Sequence, residues 1–171
     1  HVLGSVDPAR DLENLDSEFL LADMVTVDNR LANITERLSK GVKGEERKAL
    51  EREQTIFRRL EGTLTAGAPL RDADLTREER SRLRAYGLLT LKPVLVLLNT
   101  GDELIDPDSL MTYDHRQSKV LALQGELEME LSQLNPDDAM MFMDEFGISE
   151  LALNRVIQAS YNLLNLQSFF T

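Results

Sequence analysis

Six apolar residues, Leu20, Met24, Val27, Leu31, Ile34 and Leu38, recur at spacings of 4, 3, 4, 3 and 4. That rhythm keeps them on one face of an α-helix and forms the seam that a long helix shows to a partner. It predicts a first helix over residues 11–39. The connector "KGVKGE" then supplies two glycines among polar residues, after which Leu50, Ile56, Phe57, Leu60 and Leu64 resume a helical stripe among many charges. Two helices joined by so short a turn pack antiparallel, so this half of the chain reads as a helical hairpin. "TAGAPLRDAD" breaks the second helix at Gly67 and Pro69, and Thr76 with Glu79 three residues later makes a capping box for a third helix ending near Gly87.

Beyond that point the pattern changes. Pro93 can open a strand but not sit inside a central one, and the Val94–Leu98 run that follows is apolar on both alternating faces. That composition predicts a buried strand of parallel type. A second strand is expected over residues 118–124, then a helix carrying Leu127, Leu131 and Leu134. Asn135-Pro136 and Gly147 bracket a short helix, and Ser149 is expected to cap a last helix through Leu164 with Leu153, Val156, Ile157 and Leu164 inward. The closing "LQSFFT" looks like the start of a strand. The fold class is therefore mostly α with a small α/β part, and two strands buried on both faces would need neighbours that these residues do not supply.

Composition narrows the function. With 171 residues the chain suits one compact domain or two small subdomains, and no apolar run approaches the roughly 18 residues that cross a bilayer. No membrane association is expected. No leader pattern opens the chain, which begins with His1 rather than Met, as if cut from something longer. The absence of cysteine excludes disulfides and thiol catalysis and is compatible with a reducing compartment, so a cytoplasmic location is expected. A net charge of −11 argues against nonspecific binding of nucleic acid by the whole chain, and no DNA partner is expected.

The residues able to do chemistry are few. In nucleotide-binding α/β folds the ligand lies at the carboxyl ends of parallel strands, where the turn "NTGD" stands here. The Asn99 amide can donate to and accept from a base edge, and the Asp102 carboxylate can accept two N–H donors. The alternative is an Asx-type turn with Gly101 supplying a permissive backbone. No Gly-x-x-x-x-Gly-Lys-Ser/Thr loop occurs, so no phosphate cradle is present, and no catalytic residue is assigned. Two histidines and no cysteine make a zinc site unexpected, and the acidic run Asp102, Glu103, Asp106 and Asp108 lacks the pattern of a calcium loop, so no metal ligand is assigned. Lys40, Lys43, Arg47 and Lys48 at the hairpin tip, and Arg77, Arg80, Arg82 and Arg84 on the third helix, suit either an RNA-facing edge or a salt-bridged surface. Met140, Met141 and Met143 are expected to pack in an irregular core rather than to form a binding surface.

Several runs in order carry a resemblance: "VDPARD" at residues 6–11, "LAD" at 21–23, "LLTLKPVLVLLN" at 88–99 and "LNRVIQASYNLLNLQSFFT" at 153–171. Across nearly its whole length the chain resembles the YchF/Obg-like ATPase family. The resemblance implies a P-loop NTPase of the translation-factor class with a coiled-coil arm inserted in the nucleotide domain and a small β-rich TGS domain following. By that likeness residues 1–10 are a connector from the nucleotide domain, 11–87 the coiled-coil arm, 88–165 the C-terminal part of the nucleotide-binding domain with its parallel sheet, and 166–171 the start of the TGS-like domain. The chain would be an interior piece lacking the phosphate loop.

The resemblance further implies ATP or GTP with Mg as cofactor, the Mg ligands lying outside these residues, and the ribosome or RNA as a partner of the arm. Asn99 stands where the family's base-recognition Asn stands, with Asp102 at the acidic position of the same motif. Many members have Glu there, so Asp102 is GTPase-like, while Thr100 replaces the GTPase Lys. Gln124, Gly125 and Glu126 align where the family tends to have Ser-Ala-Lys, which makes Gln124 and Gly125 a possible base-pocket loop. Two rival readings stand beside an ATP- or GTP-hydrolysing parent. One is a helical interaction module without nucleotide activity, the other a nucleotide binder that has lost catalysis.

Overall fold

The computed structural model describes residues 6–101 and 105–169. They divide into two compact units, one over residues 10–92 and one formed by residues 93 onward with the described part of 1–9. No helix among the described residues is long and apolar enough to cross a membrane.

The first unit is built on α1 (Pro8–Ser39) and α2 (Gly44–Thr65). The seam starts α1 later than the structure does, because Pro8 already fits the first helical turn, where its missing N–H costs nothing. Gly41 and Gly44 turn the chain at φ 85° and 65°, a region that L side chains enter only at a cost. Arg30 pairs with Glu53 and Arg37 with Glu46. As one partner advances seven residues the other retreats seven, which fixes the helices as antiparallel. Val27 and Leu31 meet Phe57, Leu60 and Leu64 in a core completed by Leu70, Leu83 and Leu88. α3 (Arg77–Leu83) opens with the expected capping box, Thr76 and Glu79 each binding the other's backbone N–H, and a tight turn then ends at Gly87 in the left-handed region.

One polar residue sits within this seam. Asp23 is 2% exposed. Its Oδ1 accepts from the Leu89 N–H at 2.7 Å, and its Oδ2 accepts from the Thr90 N–H at 2.8 Å and the Thr90 hydroxyl at 2.6 Å. The Thr90 hydroxyl oxygen in turn accepts from the Leu70 N–H at 3.1 Å. Buried Arg71 continues the network, its backbone N–H donating to the Thr90 carbonyl at 2.9 Å and its Nε to the Lys92 carbonyl at 3.0 Å. Side chains and backbone from α1 and from the turn at Leu70–Asp72 thus hold residues 89–92 in one conformation.

A second cluster links the helices lower in the hairpin. Arg30 donates through Nε and Nη2 to both Glu53 carboxylate oxygens at 2.7 and 2.8 Å, and the Tyr86 hydroxyl donates to the same carboxylate. The Arg30 hydrogen bond holds the Glu53 carboxyl below its ordinary value, against burial and with help from Tyr86. Burial, then the Glu53 hydrogen bond, pushes the Tyr86 hydroxyl up.

In the second unit β1 (Val94–Asn99) and β2 (Ser118–Leu123) pair in parallel, with Val94 opposite Ser118 and Asn99 opposite Leu123. The parallel pairing agrees with the sequence, but burial on both faces does not: Leu97 is 45% exposed while Leu98 is buried. The reason is coverage, since α7 (Ala152–Leu164) packs on these strands and one helix covers one face. Between the strands lies α4 (Pro107–Leu110), and after them α5 (Gly125–Gln133) and α6 (Pro136–Glu145).

Other expectations for this unit differ from the structure. Leu151, not Ser149, precedes α7 at the cap position, and Leu153, Ile157 and Leu164 face outward. Met140 and Met141 on α6 are exposed rather than packed in a core. Residues 166–169 carry no regular structure, and Phe170 and Thr171 lie outside the described residues. Inward burial requires a facing surface, and periodicity alone cannot supply one.

Two predictions follow from the first unit. Asp23→Ala strands two backbone N–H groups, which at about 1–3 kcal/mol each costs roughly 2–6 kcal/mol, read as a lower urea midpoint with unchanged slope. Because the folded Glu53 pKa lies below its unfolded value, its contribution is present above the unfolded carboxylate range and is lost as pH falls through the folded pKa. Glu53→Gln therefore flattens that part of the acid-side stability profile, and an unchanged profile would dissociate Glu53 from acid stability.

Candidate nucleotide-base site

The site is built where both strands end. The Thr100 N–H donates to the Leu123 carbonyl at 3.0 Å, which extends the ladder one residue past Asn99. On the neighbouring strand Gln124 precedes α5 and Gly125 is its first residue. The parallel register thereby sets the Asn99 side chain beside the start of that helix.

Asn99 Oδ1 accepts from the Gly125 N–H at 3.1 Å and from the Gly101 N–H at 3.4 Å. Both neighbours are donors, so the amide must turn its oxygen to them and present Nδ2 elsewhere. The Gly101 contact is the Asx-type turn that the sequence also allowed, and it is the longer of the two. Gly125 permits the arrangement because a Cβ there would lie 3.0 Å from Asn99 Nδ2 and 3.1 Å from Oδ1. Asn99 is exposed, and Nδ2 makes no hydrogen bond among the described residues. The amide therefore offers its N–H groups to an outside acceptor at the strand end.

The other expected site residues are distributed as follows. Asp102 and Glu103 lie outside the described residues. Gln124 lines a small cavity of about 100 Å³ with Thr100, Ile105, Leu123 and Arg155, and Asn99 is not part of its lining. A larger cleft of about 590 Å³ lies between β2 and α7, lined by Ser118, Lys119, Gln158 and Asn162. It opens at the end of β2 opposite Val94, away from Asn99, so volume and base-reading chemistry do not coincide. Asp106, within the acidic run, accepts from the Asp108 N–H at 3.1 Å and caps α4.

Arg155 was not singled out from the sequence. Its Nη2 donates to the Ala122 carbonyl at 3.2 Å, beside the ends of both strands. The signal was available, because Arg155 is the sole Lys or Arg after Lys119. At the hairpin tip Lys40, Arg47 and Lys48 each pair with a glutamate, and on α3 Arg82 pairs with Glu78. Four of the eight cations named for an RNA edge are thus paired locally.

The chain therefore runs from a helical hairpin into an α/β segment whose first parallel strand ends in an anchored amide. No family model matches the sequence. The ribosome-binding ATPase YchF of Bacillus subtilis is 34% identical over 179 aligned residues, covering 100% of this chain and 48% of that protein. The protein of the same name from Escherichia coli O157:H7 is 32% identical over 100% of this chain and 47% of its own length. The solved Schizosaccharomyces pombe YchF GTPase superposes with a TM-score of 0.80 at 26% identity, over 96% of this chain and 46% of that one. The chain belongs with the YchF-like proteins, and it spans about half the length of the curated relatives it matches.

Gly125→Ala tests the anchoring. The new Cβ displaces the Asn99 carboxamide, seen as a shift of its side-chain NH2 resonances in a ¹⁵N spectrum. Unmoved resonances would mean that the amide is not seated against Gly125.

Proposed function

We propose that this chain carries the base-reading strand and the contact arm of a ribosome-associated P-loop NTPase that binds and hydrolyses ATP or GTP. The observation that supports it most directly is the Asn99 amide, held by its oxygen at the carboxyl end of a parallel strand with Nδ2 turned outward. In this reading Nδ2 donates to a ring nitrogen of the base, Asp102 accepts from base N–H groups, and Gln124 and Gly125 form the loop behind them. The nucleotide with its Mg supplies the phosphoryl group to be transferred. Phosphate, metal and attacking water are held by residues outside this sequence, which has no phosphate loop.

The domain plan of the same reading makes residues 1–10 a connector, 11–87 the arm, 88–165 the C-terminal part of the nucleotide domain and 166–171 the start of a β-rich domain. The names of the relatives, which say ribosome-binding ATPase and GTPase, support both the partner and the reaction class, and a ribosomal partner is in keeping with a cytoplasmic location.

Asn99→Ala in the full-length protein is expected to weaken nucleotide binding by about 1–3 kcal/mol, the usual cost of leaving a desolvated partner group unsatisfied. Titration with a fluorescent nucleotide reads the change. Unaltered affinity would remove Asn99 from the pocket, and absence of nucleotide binding by the parent protein would favour a helical interaction module.

A further inference from the structure

We propose that the segment over residues 120–154, centred on α5 and α6, is a docking surface for a basic amphipathic helix of a protein partner. The segment holds eight carboxylates, Glu126, Glu128, Glu130, Asp137, Asp138, Asp144, Glu145 and Glu150, and no Lys or Arg. Eight of the chain's net eleven negative charges therefore lie in this stretch.

Between Arg30 and Leu83 the glutamates are treated differently. On the hairpin and α3, Glu36, Glu45, Glu46, Glu51, Glu53, Glu61, Glu78 and Glu79 each meet a Lys or Arg within salt-bridge distance. Among the described residues no salt bridge involves the segment 120–154. Glu128 accepts from the Ala152 N–H at 2.6 Å and lines a cavity with Glu150 and Arg155, and Asp138 accepts from the Asn135 amide at 2.6 Å, so the uncompensated charge is concentrated on α6. A field of one sign attracts cations from outside and steers their approach.

Charge alone would describe a solvated helix, but the apolar residues do not fit that description. Met140 and Met141 are each 72% exposed, and Met129 and Phe146 are also exposed. Helical spacing sets Met141 beside Asp137, Asp138 and Glu145, and Met140 beside Asp144. Methionine is unbranched and polarizable and adapts to varied apolar partners. The presenting helix is pre-formed: Asn135 accepts from the Asp137 and Asp138 N–H groups at 3.1 and 3.0 Å, and Phe142 stacks on Phe146 with ring centroids 4.4 Å apart.

The occupant follows from complementarity. Nucleic acid is repelled by this charge, and a second copy of the chain would set like charge against like. A helix with Lys or Arg flanking an apolar stripe matches both features, the cations finding carboxylates and the stripe finding the methionines.

The test uses the full-length protein and a dye-labelled peptide of about 18 residues, five helical turns, made of Leu and Lys with Leu on one face. A shuffled peptide of the same composition lacks that face, and a Leu/Glu version reverses the charge. At physiological ionic strength the patterned Lys peptide is expected to bind at least about tenfold tighter than the shuffled one, and the Glu version not to bind. The double variant Met140→Ser/Met141→Ser, at two exposed positions, should keep its circular dichroism and lose about tenfold in affinity. Mild peroxide should oxidise both methionines at the rate of free methionine in the unliganded protein and more slowly once peptide is bound. Equal binding of patterned and shuffled peptides would overturn the proposal, as would affinity unchanged in the double variant. Methionines already protected in the free protein would also overturn it, showing that another part of the chain or a second copy covers this face.

Discussion

The first unit depends on a carboxylate buried in an apolar seam. Asp23 lies between Leu20 and Met24, where an apolar residue would cost less in desolvation. Its two oxygens receive three donors from Leu89 and Thr90, residues 66 and 67 positions away in sequence. A charged acceptor with short, well-filled bonds binds more strongly than a neutral one, and the same burial makes its partners expensive to leave unmet. The hairpin and the returning chain are thereby committed to one another, because neither side can satisfy its polar groups alone.

That commitment reaches further along the sequence. Thr90 receives Leu70 on its hydroxyl and Arg71 on its carbonyl, and Arg71 also reaches the Lys92 carbonyl. Residues 89–92 are held from several directions immediately before Pro93 and β1. At the other end of that strand the same logic recurs on a smaller scale: Asn99 is oriented by two backbone N–H groups, and the missing side chain of Gly125 makes room for it. In both places a side-chain oxygen meets backbone donors, and its geometry is decided by what the neighbouring segment offers.

Charge is distributed by a different rule in the two units. From Arg30 to the end of α2, acids and bases alternate closely enough to pair across helices or within three or four residues, so that surface is polar with little net field, whereas residues 11–29 hold six acids and no Lys or Arg. Around α5 and α6 the acids have no such partners in the sequence, and apolar side chains stand among them. The first pattern suits a solvated surface, and the second suits the docking face proposed for α6.

Much of the architecture was legible in the residues. The 4-3 spacing gave the hairpin, Thr76 with Glu79 gave the cap of α3, Asn135-Pro136 gave the start of α6, and the Val94–Leu98 run before a polar turn gave a parallel strand ending at Asn99. These are local signals, set by helical and strand periods and by backbone groups that must be met within a few residues. The tertiary structure alone decided that Asp23 would serve Leu89 and Thr90, that Gly125 would seat Asn99, that Arg155 would reach the strand ends, and that Leu153, Met140 and Met141 would face outward. Each depends on which distant segment arrives opposite a given side chain. Sequence periodicity fixes which residues share a face, but a face is buried only when another surface is packed against it.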